Sequence, residues 1–169
     1  MELVEPSDRY RKSFEAALAE FGSEVIPGAY ALLSCSTVDE YLERVRKDAL
    51  GEDLPEGFVP STTYWLMEDG EYIGHVNIRH RLTPALERLG AHIGYAIRPS
   101  WRGKGYGTQM LRMALEKARS LGVERVLITC DKDNIASRKV IEKNGGVFRD
   151  EIEVEGRSTP TLRFWIENR

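Results

Sequence analysis

The sequence predicts a single-domain α/β protein of the mixed α+β kind, with a central mixed, mostly antiparallel sheet flanked by helices. Three observations predict it. Short β-rich runs outnumber the amphipathic helical segments and interleave with them. Glu68-Asp69-Gly70-Glu71 between two such runs is a hairpin signal, so part of the sheet is antiparallel. A glycine-rich turn, Arg102 to Gly107, stands between an apolar run and a long amphipathic segment, as in a strand–turn–helix unit. The 169 residues, 41% hydrophobic and 30% charged, are enough for one packed core. The domain divides into N-terminal helices and a loop (1–60), a sheet and core (61–148) and C-terminal strands (149–169), without internal repeats.

Each element has a local reason. Ser7 caps a helix whose apolar face is Tyr10, Phe14, Ala17, Leu18 and Phe21, at helical spacing. Thr37-Val38-Asp39-Glu40 has the capping-box form and starts a second helix with Tyr41, Leu42 and Val45 inward. Gly51 to Pro60 reads as a loop. Thr62–Met67 and Tyr72–Arg79 are the hairpin strands, and Leu82 to Gly90 is a loop with some helical character. Ala91 to Ile97 is the strand before the glycine turn. Thr108 to Gly122 is the clearest helix, with Leu111, Ala114, Leu115, Ala118 and Leu121 on one face and Gly122 as C-cap. Arg125–Thr129 is a strand, Asn134 opens a further helix, and Val147–Val154 and Thr161–Ile166 are strands around Glu155-Gly156.

The glycine turn carries the chemistry. Three glycines in six residues let the backbone turn tightly and approach a ligand closely. The helix that follows offers unpaired N–H groups and the positive end of its dipole, which together suit a pyrophosphate. Two common pyrophosphate sites fail on spacing. A nucleotide-triphosphate loop requires Gly-Lys-Ser/Thr, whereas Gly105 and Tyr106 follow Lys104. A dinucleotide fingerprint requires Gly-x-Gly-x-x-Gly, and Thr108 stands where its third glycine belongs.

The pattern that fits is Arg/Gln-x-x-Gly-x-Gly/Ala after a strand and before a helix. It resembles the acetyl-CoA-binding motif of the GCN5-related N-acetyltransferase (GNAT) superfamily. The resemblance extends over about Ala91 to Phe148: Ala96-Ile97-Arg98-Pro99 precedes the motif, and Arg125–Thr129, Asn134, Ser137, Val140 and Glu142-Lys143-Asn144-Gly145-Gly146 follow in the family's order. It implies an acyl-CoA N-acyltransferase-like fold and acetyl-CoA as co-substrate, with no metal. It also implies acetyl transfer to an amine of a small molecule or peptide, by direct attack in a ternary complex. Backbone groups of Arg102, Gly103, Lys104, Gly105, Tyr106, Gly107 and Thr108 would hold the pyrophosphate. Ala96 and Ile97 would hold pantetheine and the oxyanion, and Asn134 and Ser137 would complete the cofactor site.

Two positions depart from the family pattern. Ile141 stands where a tyrosine usually protonates the leaving thiolate, which leaves that step to Ser137, to water or to unaided release. Gly146 stands where an aromatic residue is common. For the general base, the resemblance points to the start of the strand before the motif, hence to His92. A neutral imidazole there is available near pH 7; the plainer role is packing at a strand end. With period two, His92 shares a face with Gly94 and Ala96, opposite Ile93, Tyr95 and Ile97.

Other residues have bland readings beside sharper ones. His75 lies within a strand, and His80 sits between Arg79 and Arg81 in a solvated turn. Cys130 follows a strand and reads as core, because a covalent mechanism needs a base beside it. Tyr64 and Trp65 read as core before acceptor wall, and Trp101 as an exposed neighbour of the motif. Lys104 supplies a point charge. A net charge of -3 argues against a nucleic-acid partner. Cys35 and Cys130 form no disulfide framework, no Cys/His spacing suits zinc, and no run is long enough to span a bilayer. The expectation is a cytoplasmic enzyme with no membrane partner, for which the resemblance allows a homodimer. Two rival readings stay open: a non-catalytic acyl-CoA sensor, and an acyltransferase for another acyl chain or a hydroxyl acceptor.

Overall fold

The computed structural model describes residues 1–169, apart from the side chain of Leu89. In chain order the elements are β1 (Glu2–Val4), α1 (Arg11–Phe21), α2 (Tyr30–Leu33), α3 (Val38–Leu50), β2 (Ser61–Glu68), β3 (Glu71–Arg79), α4 (Pro84–Leu89) and β4 (Ile93–Ile97), then α5 (Tyr106–Ser120), β5 (Arg125–Asp131), α6 (Ile135–Lys143), β6 (Val147–Ile152) and β7 (Thr161–Glu167). Ser7 caps a short 3-10 turn, Asp8–Tyr10, that leads into α1. The capping box at Thr37 and Glu40 is formed in both directions and sets the start of α3. The Asp69-Gly70 turn has φ of 51° and 82°, the left-handed pair that a two-residue hairpin requires.

The seven strands form one sheet in the order β1-β2-β3-β4-β5-β7-β6. All neighbours are antiparallel except β4 and β5, which run parallel. Alternation along β2 sends Leu66 to one face and Trp65 and Met67 to the other. On the first face α5 packs Met110, Leu111, Ala114 and Ala118 onto Val76, Ile78, Ile93 and Ile128, and α6 adds Ile141. On the second, α1 and α3 bring Phe14, Ala17, Phe21, Tyr41 and Val45 onto Trp65, Met67 and Tyr72. Phe14 stacks on Trp65 at 4.4 Å between centroids. Trp65 is fully buried there, so it is core. Among the described residues no helix is long and apolar enough to cross a membrane.

Four elements differ from the sequence expectation in existence or extent. β1 and α2 were not expected, and both are too short to carry a periodic signal. The segment from Leu82 to Gly90 contains a true short helix, α4, which Thr83 caps by accepting from Leu86 N–H at 3.2 Å. Helix α5 starts at Tyr106, two residues before the expected Thr108.

Candidate active site

The parallel neighbours β4 and β5 pair at one residue couple, Ile93 with Ile128. The main-chain direction along β4 follows from its bonds to β3. Arg79 N–H donates to His92 C=O at 2.8 Å, and Arg98 N–H donates to Ile73 C=O at 2.7 Å. Bonded and non-bonded pairs alternate in an antiparallel ladder. In the register that pairs His75 with Ala96 and Asn77 with Gly94, those two residues therefore spend their main-chain groups on β3. The N–H and C=O of Tyr95 and Ile97 point the other way, toward β5, and find no strand partner there. The result is a gap between two parallel strands, edged by main-chain groups of Tyr95 and Ile97 that no strand takes up. Of the two residues named from sequence, Ile97 turns its main-chain groups to this edge and Ala96 turns them to β3, while Tyr95 borders the gap beside Ile97.

His92 closes the narrow end of the gap. Its N–H donates to Leu127 C=O at 2.8 Å, and its Nδ1 accepts from Leu127 N–H at 2.9 Å. A neutral imidazole whose Nδ1 accepts must carry its proton on Nε2, so neither nitrogen keeps a free lone pair with which to take a proton from an acceptor. Burial, aided by Arg79, pushes that protonation down to about 4. His92 is 8% exposed. It works as a clasp between β4 and β5, and this geometry does not suit the base expected from sequence. His75 is held similarly, between Tyr72 Oη at 2.8 Å and Pro27 C=O at 3.0 Å, and burial lowers it to about 4.

The open end of the gap leads to the glycine turn. Gly103 and Gly105 have φ of 75° and 86°, which few side-chain-bearing residues adopt, and a Cβ at either would meet nothing within 4 Å. The N–H of Arg102 is taken by Pro99 C=O and that of Thr108 by Gly105 C=O. Between them the N–H groups of Gly103, Lys104, Gly105, Tyr106 and Gly107 form no hydrogen bond among the described residues. Five free donors at the start of a fifteen-residue helix make an anion cradle.

The side chains of this turn brace it. Arg102 donates to Ile97 C=O at 3.0 Å and pairs with Glu24 at 2.6 Å. Lys104 folds back onto Ser100 C=O at 3.0 Å and lies over the Trp101 ring. Tyr106 donates to Glu68 at 2.7 Å, which fixes the first turn of α5 against the end of β2. One turn upstream, Glu20 accepts from Arg98 and from Ser100 N–H, and those bonds hold its carboxyl down at about 2.

Helix α6 borders the other side of the gap. Asn134 caps it by accepting Ser137 N–H at 3.0 Å. Ser137 Oγ lies 2.9 Å from Tyr95 Oη, which spans from β4 to the first turn of α6. On the opposite sheet face, Gly28 lies against Gly94. A Cβ on Gly28 would come within 2.6 Å of Gly94 O, and one on Gly94 within 2.9 Å of Gly28 Cα. The connection from α1 to α2 thus lies directly on β4, held also by Pro27 on His75.

Residues 16–147 match the profile of the acetyltransferase (GNAT) domain. The chain belongs to the GNAT family. No curated protein matches it. Solved structures show the same fold. A microcin C7 self-immunity acetyltransferase, MccE, in complex with acetyl-CoA and AMP, superposes with a TM-score of 0.70 at 17% identity, over 98% of this chain and 91% of that one. RimL, a ribosomal L7/L12 α-N-protein acetyltransferase held in a disulfide with coenzyme A, gives 0.69 at 17% over 98% and 92%. A variant of the spermidine N-acetyltransferase SpeG from Vibrio cholerae gives 0.66 at 13% over 99% and 95%.

Within this GNAT domain the two sequence departures explain each other. Ile141 is fully buried in the core between α5 and the sheet. A Cβ on Gly146 would lie 2.4 Å from Ile141 Cγ2 and 2.9 Å from its carbonyl oxygen, so the isoleucine dictates the glycine. Cys130 is buried on β5, with its thiol pushed up to about 11, mainly by burial, so it stays neutral. Sequence reasoning missed Glu24 and gave no role to Tyr95 or Asn144. Asn144 donates to Thr108 C=O at 3.2 Å and to Val140 C=O at 2.9 Å, tying the end of α6 to the start of α5.

Proposed function

We propose that this GNAT domain moves an acetyl group from acetyl-CoA to a primary amine by direct attack in a ternary complex, and that its preferred acceptors are α-amines of peptides or of amino-acid-derived small molecules. The gap between β4 and β5, continuous with the five free N–H groups of Gly103 to Gly107, carries this reading. The pyrophosphate would lie on those donors and the pantetheine arm in the gap, against Ile97. The thioester carbonyl would meet Tyr95 N–H, a fixed donor of the kind that stabilises a developing oxyanion. The amine would approach beside the Pro27-Gly28 connection, which covers β4 at Gly94.

The acceptor class follows from proton accounting. Attack needs a neutral nitrogen, and neither His75 nor His92 can accept a proton near neutral pH. The acceptor must then bring its own neutral fraction. At pH 7 that is about one in ten for an α-amine with a pKa near ~7.8, but below about one in a thousand for an alkylamine near ~10.4. With no base at His75 or His92, the α-amine is therefore favoured by roughly two orders of magnitude. For an α-amine acceptor, log kcat/KM is expected to rise with a slope of one from pH 5 to the acceptor's own pKa and then level off. For an alkylamine the same line should continue past pH 9. A slope of two, or a second break near the ordinary histidine value, would show an enzymic base.

The role of His92 has its own test. In His92→Asn the amide oxygen can take over the Leu127 N–H, so turnover is expected to stay within about threefold of wild type. His92→Ala leaves that buried donor unpaired and should cost ~1–3 kcal/mol of stability. A general base would instead lose ~10²–10⁴ in rate in both variants.

A further inference from the structure

We propose that Tyr95 is a positioning residue for thioester cleavage: its hydroxyl donates to Ser137 Oγ and so turns the serine O–H toward the sulfur of the coenzyme A leaving group. The inference rests on reading the β4–β5 gap as the acetyl-CoA site. Position 141 is a buried isoleucine, so the hydroxyl that faces the leaving group must come from elsewhere. Tyr95 is the β4 residue whose main chain borders the gap and whose side chain crosses to α6.

The direction of the 2.9 Å bond decides what it does. Ser137 has a single proton, and its Oγ has no other partner among the described residues. Burial pushes the Tyr95 phenol up to about 12, so it is protonated through the working pH range and can donate. With the phenol donating, the serine proton is released for a further acceptor. Asn134 fixes the backbone beneath it through Ser137 N–H. The neutral thiol of Cys130, on the same sheet face, adds no negative charge to repel a thiolate.

Magnitudes determine whether the proton moves. A thiol near ~8.5 is a far stronger acid than either hydroxyl, so the sulfur does not take a proton from Ser137 or Tyr95. The amine–carbonyl C–N bond forms, and the amine proton passes to water. The oxyanion then collapses to the amide carbonyl while the C–S bond breaks. The electron pair goes to sulfur, which leaves as thiolate under the Ser137 hydrogen bond and takes a proton from solvent on release.

Tyr95→Phe, Ser137→Ala and the double variant test this by the split between kcat and acetyl-CoA affinity. One oriented hydrogen bond to a charged group corresponds to about a tenfold effect or more. Tyr95→Phe is expected to lower kcat about tenfold and Ser137→Ala by ten- to a hundredfold, with acetyl-CoA Kd unchanged within about threefold. The double variant should be no slower than Ser137→Ala, because the phenol acts only through the serine. Additive losses, an unchanged kcat in Tyr95→Phe, or a loss confined to Kd would overturn the proposal. Ser137→Ala, which alters a half-buried hydroxyl in the first turn of α6, keeps it falsifiable should Tyr95→Phe melt early. Failure of wild type to bind acetyl-CoA would instead overturn the site reading beneath it.

Discussion

Replacing Gly105 by aspartate is expected to abolish acetyl-CoA binding while the domain stays folded. Gly105 has φ of 86°, and a side chain there points into open space, so the protein itself raises no steric objection. The conformational cost is about 1–2 kcal/mol, small enough for a packed domain to absorb. The new carboxylate would stand over the five free N–H groups and occupy the anion cradle. Two like charges about 4 Å apart at a protein surface repel by about 4 kcal/mol, roughly a thousandfold in Kd. Gly105→Asn carries the same backbone cost without the charge and should lose far less. Titration of acetyl-CoA into the two variants separates them. Equal affinities would show that no anion sits on this turn.

The second large effect is expected at Gly94. A Cβ there would meet the Gly28 backbone at 2.9–3.0 Å, and that backbone cannot rotate away as a flexible side chain would. Gly94→Val must lift the Pro27-Gly28 connection from β4 and strain its bond to His75. Overpacking of this kind costs about 1–3 kcal/mol of stability. Functionally, the main-chain groups of Gly94 face β3, not the gap, so acetyl-CoA should bind within about threefold of wild type. Acceptor kcat/KM should fall about a hundredfold, because the wall beside which the amine enters has moved. Loss of cofactor binding with normal acceptor kinetics would place the acceptor elsewhere.

Much of this arrangement is legible locally. The capping box at Thr37, the Asp69-Gly70 turn and the α5 stripe are each specified by a few adjacent residues, and each formed where the sequence placed it. The glycine turn was legible because only glycine adopts such φ values cheaply. Long-range contacts were not. Helix α5 begins two residues early because Tyr106 is anchored by Glu68, thirty-eight residues away. The choice between Ala96 and Tyr95 as the residue bordering the gap depends on the hydrogen-bonding phase of β4, which only its register with β3 fixes. His92 reads as a base in sequence because its tautomer is set by Leu127, across the sheet. The contact between Gly28 and Gly94 leaves no periodic trace, since each glycine is explained only by the other.

The most direct test is coenzyme A thiol release from acetyl-CoA, with a short peptide bearing a free α-amine beside the same peptide with that amine blocked. Amine-dependent release from the free peptide alone, together with saturable acetyl-CoA binding, is the expected result. Saturable binding with no amine-dependent release from any acceptor would contradict the account and leave a domain that senses acetyl-CoA without transferring its acetyl group.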